Sequence, residues 1–372
     1  MPLFDPQPKI SRREFYDRER ELEEFNNYVR KSPLTLVLGL RRYGKTSLIL
    51  TGLNESNRKY IFLDCRLLPQ GMLGIMDLIR LFEKAFNDFL KKHRGLRYKL
   101  LSVLKSIEGI RIHGISVVIN PRKTSFDSII DIFSAINELG EEIVLVVDEA
   151  QELRRTARYR MDYVLAYVYD HLRNVKMVLS GSQVGLLYRF LRINDPKAPL
   201  YGRAYMELKL GPLSREQSMD FLIRGFREQG LEIDDYLLNY IIDRVDGVIG
   251  WLTYIGYELS LTRDLSIRRV NEILGKASLL VREELENFLN LRMQARTRYL
   301  AILEAVSVLG EASWKDIYVY LEAKTGRVPK TVFNELLRNL VDAGFLLKKE
   351  PGRYVVADPI LKYALKNKVI AL

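Results

Sequence analysis

Gly39-Leu40-Arg41-Arg42-Tyr43-Gly44-Lys45-Thr46 has the spacing G-x-x-x-x-G-K-[ST]. Glycine at both ends of such a loop lets the backbone turn tightly, so successive N–H groups converge on one place. A helix that starts at the end of the loop adds partial positive charge there. The ligand this arrangement suits is a nucleotide phosphate chain. Lys45 is expected to reach the β- and γ-phosphates, Thr46 to ligate magnesium, and Ser47 to complete the cradle. A second pair of residues complements the loop. The apolar run Ile143–Val147 ends in Asp148-Glu149. Asp148 suits a role in holding magnesium, directly or through water, and Glu149 suits orienting and polarising an attacking water. A glutamate directly after the aspartate favours hydrolysis over mere binding.

These residues need a scaffold that brings two strand ends together, and the surrounding sequence supplies one. Leu34–Leu38 is a short apolar run ending at Gly39, as a buried parallel strand would be, and Ser47–Leu53 carries a helical pattern. Further strands are read at Tyr60–Asp64, Ile143–Val147 and Val175–Ser180, with a possible fifth at Tyr205–Leu210. Residues 11–30 read as a polar entry followed by an amphipathic helix, further helices are read over 72–106, 125–139, 157–173 and 183–191, and alternating Ile110, Ile112, Ile115, Val117 and Ile119 read as a hairpin or edge strand. Strands separated by helices imply βαβ units and an α/β fold with a parallel sheet covered on both faces.

After Gly211-Pro212-Leu213 the pattern becomes helical, opening on the capping box Ser214-Arg-Glu-Gln217. Near Arg292 a last unit begins. Helices over 296–309, 312–323 and 329–343 precede two short strands, Lys348–Glu350 and Arg353–Ala357, around Pro351-Gly352. Three helices and a terminal hairpin form a winged helix-turn-helix pattern. The expected division is therefore 1–210, 211–291 and 292–372.

Here the residues resemble a known family, the archaeal P-loop ATPases of the AAA+/STAND group, from about residue 13 to the end. Phe15-Tyr-Asp-Arg18-Glu19-Arg-Glu21-Leu22 is similar to the family's first motif, which places an aromatic residue and an arginine near adenine. Asp148-Glu149-Ala-Gln151-Glu152-Leu153 resembles its hydrolysis motif. Leu179-Ser180-Gly181-Ser182-Gln183 resembles the strand tip whose polar side chain senses the γ-phosphate, which makes Ser182 the sensor, with Ser180 behind it. Pro199-Leu-Tyr201-Gly202-Arg203 resembles a motif whose arginine stabilises transition-state charge, in cis or in trans. Asp246-Gly247-Val-Ile249-Gly250-Trp251-Leu252 departs from the family, with Ile249 where proline is usual. The resemblance implies strand order 5-1-4-3-2, a helical lid, a C-terminal winged helix, and ATP/ADP with Mg2+ as ligands.

Composition bounds the rest. With 48% hydrophobic and 28% charged residues the chain reads as globular rather than disordered. Plentiful Lys, Arg, Glu and Tyr beside sparse Asn and Gln lean towards a thermophile. Cys65 is the single cysteine, so no intrachain disulfide is expected, and the cytoplasm is the expected compartment. No signal peptide or membrane-length apolar run is read. His93, His113, His171 and Cys65 lack zinc-ligand spacing.

Net charge is +11, and residues 291–372 carry 14 Lys and Arg against 8 Asp and Glu. Lys330, Thr331, Asn334 and Arg338 share one side of the third winged-helix helix, and Lys348, Lys349 and Arg353 flank the wing. That face suits duplex DNA, and equally a protein partner. Arg154, Arg155, Arg158 and Arg160 suit a nucleic-acid backbone, an acidic partner or a solvated helix start. Three functions follow: an ATPase switch acting on a protein or DNA target; an ATP-regulated winged-helix DNA-binding protein similar to archaeal origin-recognition proteins; and, without a visible hydroxyl-acceptor site, a kinase. The oligomeric state stays open.

Overall fold

The computed structural model describes residues 3–370 except 106, 108, 114, 115, 121–125, 157, 158, 350, 351 and 368. Ile115, Ser125, Arg158, Glu350 and Pro351, used in the sequence reading, lie outside the described residues. The chain forms two compact units. The first comprises Pro8–Gly39 and Lys45–Leu210; the second comprises Met1–Gln7, Leu40–Gly44 and Gly211–Leu372. One division thus falls between Leu210 and Gly211, and the expected boundary near 291 lies inside the second unit.

In the first unit α1 (Glu19–Lys31) precedes β1 (Leu34–Leu38) and α2 (Lys45–Glu55), and β2 (Lys59–Asp64) leads to α3 (Ile75–Lys92) and α4 (Arg94–Leu104). A hairpin of β3 (Ile110–His113) and β4 (Ser116–Ile119) follows, then α5 (Phe126–Asn137), β5 (Ile143–Asp148), α6 (Met161–His171), β6 (Val175–Gly181), α7 (Val184–Leu191) and β7 (Met206–Lys209). The sheet order is β2-β5-β6-β1-β7, all parallel. With its strands numbered one to five in chain order, this is the expected 5-1-4-3-2. β1 and β5 are buried along their whole length, which is why they read as unbroken apolar runs.

Two helices are shorter than their patterns. The helix expected over 72–106 breaks at His93, which has φ −113° and ψ 69°. The run Lys91-Lys92-His93-Arg94-Gly95 offers no apolar side chain to hold a continuous helix on the core. The helix expected at 157 starts at Met161, after a 3-10 turn over Ala150–Arg155 that Thr156 ends by donating its hydroxyl to the Leu153 and Tyr159 carbonyls.

The second unit contains α8 (Arg215–Glu228), α9 (Asp235–Val245), α10 (Ile249–Thr262) and α11 (Ile267–Asn290). A winged helix follows: α12 (Arg296–Leu309), β8 (Ala312–Ser313), α13 (Trp314–Thr325), α14 (Lys330–Asp342), β9 (Leu346–Lys349), β10 (Arg353–Val356) and α15 (Pro359–Lys366), with sheet order β8-β10-β9. Ser214 and Gln217 form the expected capping box. A second box, Ser313 with Asp316, starts α13 two residues later than the apolar pattern does and leaves 312–313 as a strand. The sequence reading omitted α15, although Asp358 caps it and Pro359 occupies its first turn.

The second unit also has an anchor with no sequence signature. Phe4 is 2% exposed and packs edge-on against Phe221 and Phe226 at 5.6 and 4.9 Å. Phe4→Ala should cost about 3–5 kcal/mol. Hydrogen exchange should accelerate in α8 and α10; unchanged protection there would show that Phe4 does not hold these helices.

Candidate nucleotide site

The register of the parallel strands puts the chemistry at one sheet edge. Leu38, the last residue of β1, pairs with Gly181, and Val147 pairs with Leu179. Ligands of open α/β sheets bind at these carboxyl ends. Gly39 leaves β1 at φ +153°, where a Cβ would lie 2.7 Å from the Leu210 carbonyl, so the turn into the loop admits only glycine. Lys45 is 5% exposed and starts α2. The Ser47 hydroxyl accepts from the Lys9 backbone at 3.1 Å, which pins the preceding segment along α2.

Asp148 is buried and each of its oxygens has a donor. Thr46 Oγ1 donates to Oδ2 at 2.9 Å, and the Ser180 hydroxyl donates to Oδ1. Burial pushes the Asp148 carboxyl above its ordinary value and Glu149 adds to this, while Ser180, Arg66 and Thr46 pull it back. A threonine hydroxyl and a buried carboxylate oxygen make a hard all-oxygen pair. That pair fits Mg2+, which commonly takes one or two protein ligands and fills the rest of its octahedron with phosphate and water.

Glu149 adopts the left-handed conformation at φ 55° and ψ 47°. Its Oε2 accepts from Ser182 Oγ at 2.5 Å, Gln151 Nε2 at 2.6 Å and the Ser182 backbone at 3.1 Å. Lys45 Nζ lies 3.9 Å from Oε1. Burial alone would raise the carboxyl, but Lys45, Ser182 and Gln151 outweigh it and hold Glu149 below the usual carboxylate range. Ser182, expected to sense the γ-phosphate, is engaged here with Glu149, and Ser180 with Asp148.

Two expected contributors lie in other surroundings. Arg203 donates to both Asp170 oxygens at 2.8 and 2.5 Å and to the Pro199 carbonyl. Arg18, in a left-handed conformation at φ 75°, donates to Glu21 at 2.7 Å and is 8% exposed; Phe15 is half-buried.

In the second unit, Leu40–Gly44 form a network the sequence did not disclose. Arg42, at φ 66°, lies over the Trp251 ring at 4.0 Å and donates to Glu284 Oε1 at 2.6 Å. Arg41 donates to Glu284 Oε2 at 2.8 Å. Trp251 Nε1 donates to both Asp358 oxygens at 3.1 Å, and Asp358 also caps α15 and lies 3.6 Å from Arg42. Gly250 donates its N–H to the Arg42 carbonyl at 2.9 Å, and a Cβ at Gly250 would come within 2.6 Å of Arg42 Cβ. The segment around Ile249, whose role the missing proline left open, thus holds the loop by backbone contact; Ile249 itself lies 3.7 Å from where a Gly44 Cβ would sit. Tyr43 is buried. The Asp-Pro pair at 358–359 was a readable cap signal, whereas Glu284 sits within a long helix and has no local signature.

The two carboxylates should respond oppositely to pH. Glu149 is depressed, so its contribution to stability is complete above an unfolded value of about 4.3 and is lost as pH falls through its lower folded value. Asp148 is raised, so its destabilising charge is fully present at neutral pH and is relieved as pH falls through its folded value. Asp148→Asn should therefore raise the thermal midpoint at pH 7, with the gain shrinking towards pH 4. A midpoint equal to wild type at pH 7 would show that the charge is not destabilising, and one below it that the carboxylate is stabilising instead.

Residues 15–254 match a family described as an ATPase domain predominantly from Archaea, and residues 293–357 match the MCM protein C-terminal winged helix-turn-helix domain. A Walker-type ATPase of Pyrococcus abyssi, of solved structure, is 34% identical, with 98% of this chain and 99% of that one covered at a TM-score of 0.83. An uncharacterised protein of Methanocaldococcus jannaschii is 23% identical over 96% of this chain and 67% of its own length. An uncharacterised ATP-binding protein of Pyrococcus abyssi is 27% identical over 62% of this chain and 69% of its own. With the phosphate loop, the 5-1-4-3-2 sheet and the C-terminal winged helix in place, the chain belongs to the predominantly archaeal ATPase-domain family.

Proposed function

We propose that the protein hydrolyses Mg-ATP to ADP and phosphate and uses the change in γ-phosphate contacts to switch its lid and winged helix. The observation that carries this reading is the state of Glu149. One of its oxygens is saturated by three donors, while the other faces only Lys45 among these partners. When Lys45 turns to the β- and γ-phosphates, Glu149 Oε1 is released to accept a hydrogen bond from water. Losing the ammonium also removes the main charge that depresses its basicity, so the carboxylate becomes a better proton acceptor as substrate arrives. Ser182 and Gln151 keep the carboxylate from rotating meanwhile. Thr46 and Asp148 would hold Mg2+, which would neutralise phosphate charge. The loop N–H groups and the start of α2 supply the remaining stabilisation.

The switch follows from the second network. The loop residue Arg42 touches Trp251 of the lid and Glu284 of the long helix, and it lies near Asp358 at the start of α15. A shift of the loop on phosphate binding therefore has direct contacts with both lid and winged helix. Such coupling is how nucleotide switches act. Whether the target is protein or DNA is the finer question. Lys330, Thr331, Asn334 and Arg338 of α14 are exposed, as are Lys348, Lys349 and Arg353 of the wing. This favours, as a second reading, a DNA-binding protein in which ATP serves assembly, in the manner of archaeal origin-recognition proteins. The Arg203–Asp170 pairing leaves Arg203 as a candidate charge stabiliser only if substrate or a neighbouring subunit breaks that pair.

Lys45→Ala should lose ATP binding or turnover. Glu149→Gln should bind ATP with about wild-type affinity and turn over roughly 100-fold or more slowly; normal turnover by this variant would remove Glu149 from the mechanism. If α14 reads DNA, the full chain should shift duplex DNA with affinity falling steeply with salt, and Lys330→Ala with Arg338→Ala should weaken it. No shift at low salt would leave the winged helix as a protein-docking module.

A further inference from the structure

Beyond the expected machinery, one cation stands against the metal-ligating oxygen. Asp64, the last residue of β2, pairs in register with Asp148. The turn Cys65–Leu67 that follows brings Arg66 to the same sheet edge. Arg66 Nε and Nη2 donate to the two Asp64 oxygens at 2.7 and 2.8 Å, and its backbone N–H donates to Oδ1 at 3.1 Å. Nη2 also lies 3.5 Å from Asp148 Oδ2, the oxygen that takes the Thr46 hydroxyl. Asp148 is 1% exposed and Arg66 52% exposed, so the guanidinium reaches from solvent onto a buried carboxylate.

We propose that Arg66 is the resident counter-ion of Asp148 and competes with the divalent cation for Asp148 Oδ2, so that metal binding requires the guanidinium to swing aside on its Asp64 tether. This inference rests on the reading of Asp148 as a metal ligand and adds a positioning residue to that site. The geometry makes the exchange local. The two short bonds to Asp64 fix the guanidinium as a planar fork, and only the longer contact to Asp148 must be given up. A dication and a guanidinium cannot share one oxygen without strong repulsion. Arg66 also offsets the burial cost of Asp148 when no metal is bound, since an unpaired buried carboxylate is destabilising. Asp64 sets the balance, because it determines how much of the guanidinium's charge is directed at Asp148.

The test is Mn2+ affinity of the full chain saturated with ADP, read by electron paramagnetic resonance of free Mn2+, for wild type, Arg66→Gln, Asp64→Asn and Asp148→Asn. Arg66→Gln should bind Mn2+ about 2- to 5-fold more tightly, the scale of a half-exposed charge contact. Asp64→Asn, which releases Arg66 towards Asp148, should weaken Mn2+ several-fold. Unchanged or weaker Mn2+ binding by Arg66→Gln, with Asp148→Asn losing most of its affinity, would overturn the counter-ion role alone. Wild-type affinity in Asp148→Asn would overturn the metal-ligand reading of Asp148 and this inference with it. If Arg66→Gln does not fold, the direction of the Asp64→Asn change decides, and unchanged or tighter binding overturns the proposal.

Discussion

Everything at the sheet edge depends on a single backbone turn at the end of β5. A strand delivers consecutive side chains to opposite faces, yet here adjacent carboxylates must both serve one loop. Glu149 resolves this by entering the left-handed region, a conformation that costs a non-glycine residue about 1–3 kcal/mol. The cost is offset by the bonds that the turn permits. Asp148 meets Thr46 and Ser180, and Glu149 meets Lys45, Ser182 and Gln151. The two acids thereby acquire opposite electrostatic characters, one raised by burial and one depressed by its donors. Separated environments for neighbouring titratable groups are how a site divides metal binding from water activation.

A second left-handed residue, Arg42, performs a comparable task within the phosphate loop. Its conformation lays the guanidinium on Trp251 and delivers it to Glu284, a contact set in which the cation–π part is worth about 1–2 kcal/mol. Burial would raise the Glu284 carboxyl, but Arg41 and Arg42 outweigh this and hold it ionised. Asp358 links Arg42 and Trp251 to the first turn of α15. Arg42 of this loop is thus in contact with residues of α10 and α11 and lies near the start of α15, and this gives the proposed switch a physical route.

The sequence disclosed the parts that follow from local rules. Gly39–Thr46 shows its purpose because tight turns and phosphate contact demand those residue types at fixed spacing. The buried strands announced themselves as apolar runs, and the strand order came with the family resemblance. The acidic pair and the roles expected of Asp148 and Glu149 are legible in the sequence, but the opposite environments of the two carboxyls are not, because φ at Glu149 and the partners of its two oxygens are tertiary facts. Ser182 is expected from the resemblance to sense the γ-phosphate, and its hydrogen bond to Glu149 is a tertiary contact with no local signature. Arg66, Glu284 and Asp358 have no place in the sequence reading, since their significance lies in side chains distant in sequence: Asp148 for the first, and Arg42 for the other two. Helix ends at His93 and Met161 were misplaced where side-chain hydrogen bonds or a polar run overrode an apolar pattern.

The measurement that bears most directly on the central claim is the fate of the solvent oxygen when the protein turns over Mg-ATP in 18O-labelled water. If, as proposed, a water oriented by Glu149 attacks the γ-phosphate, each phosphate released should carry at least one solvent-derived oxygen, and Glu149→Gln should slow its appearance. ADP formation without labelled phosphate, with the γ-phosphoryl group recovered on another acceptor, would contradict hydrolysis and make the site a phosphotransfer centre.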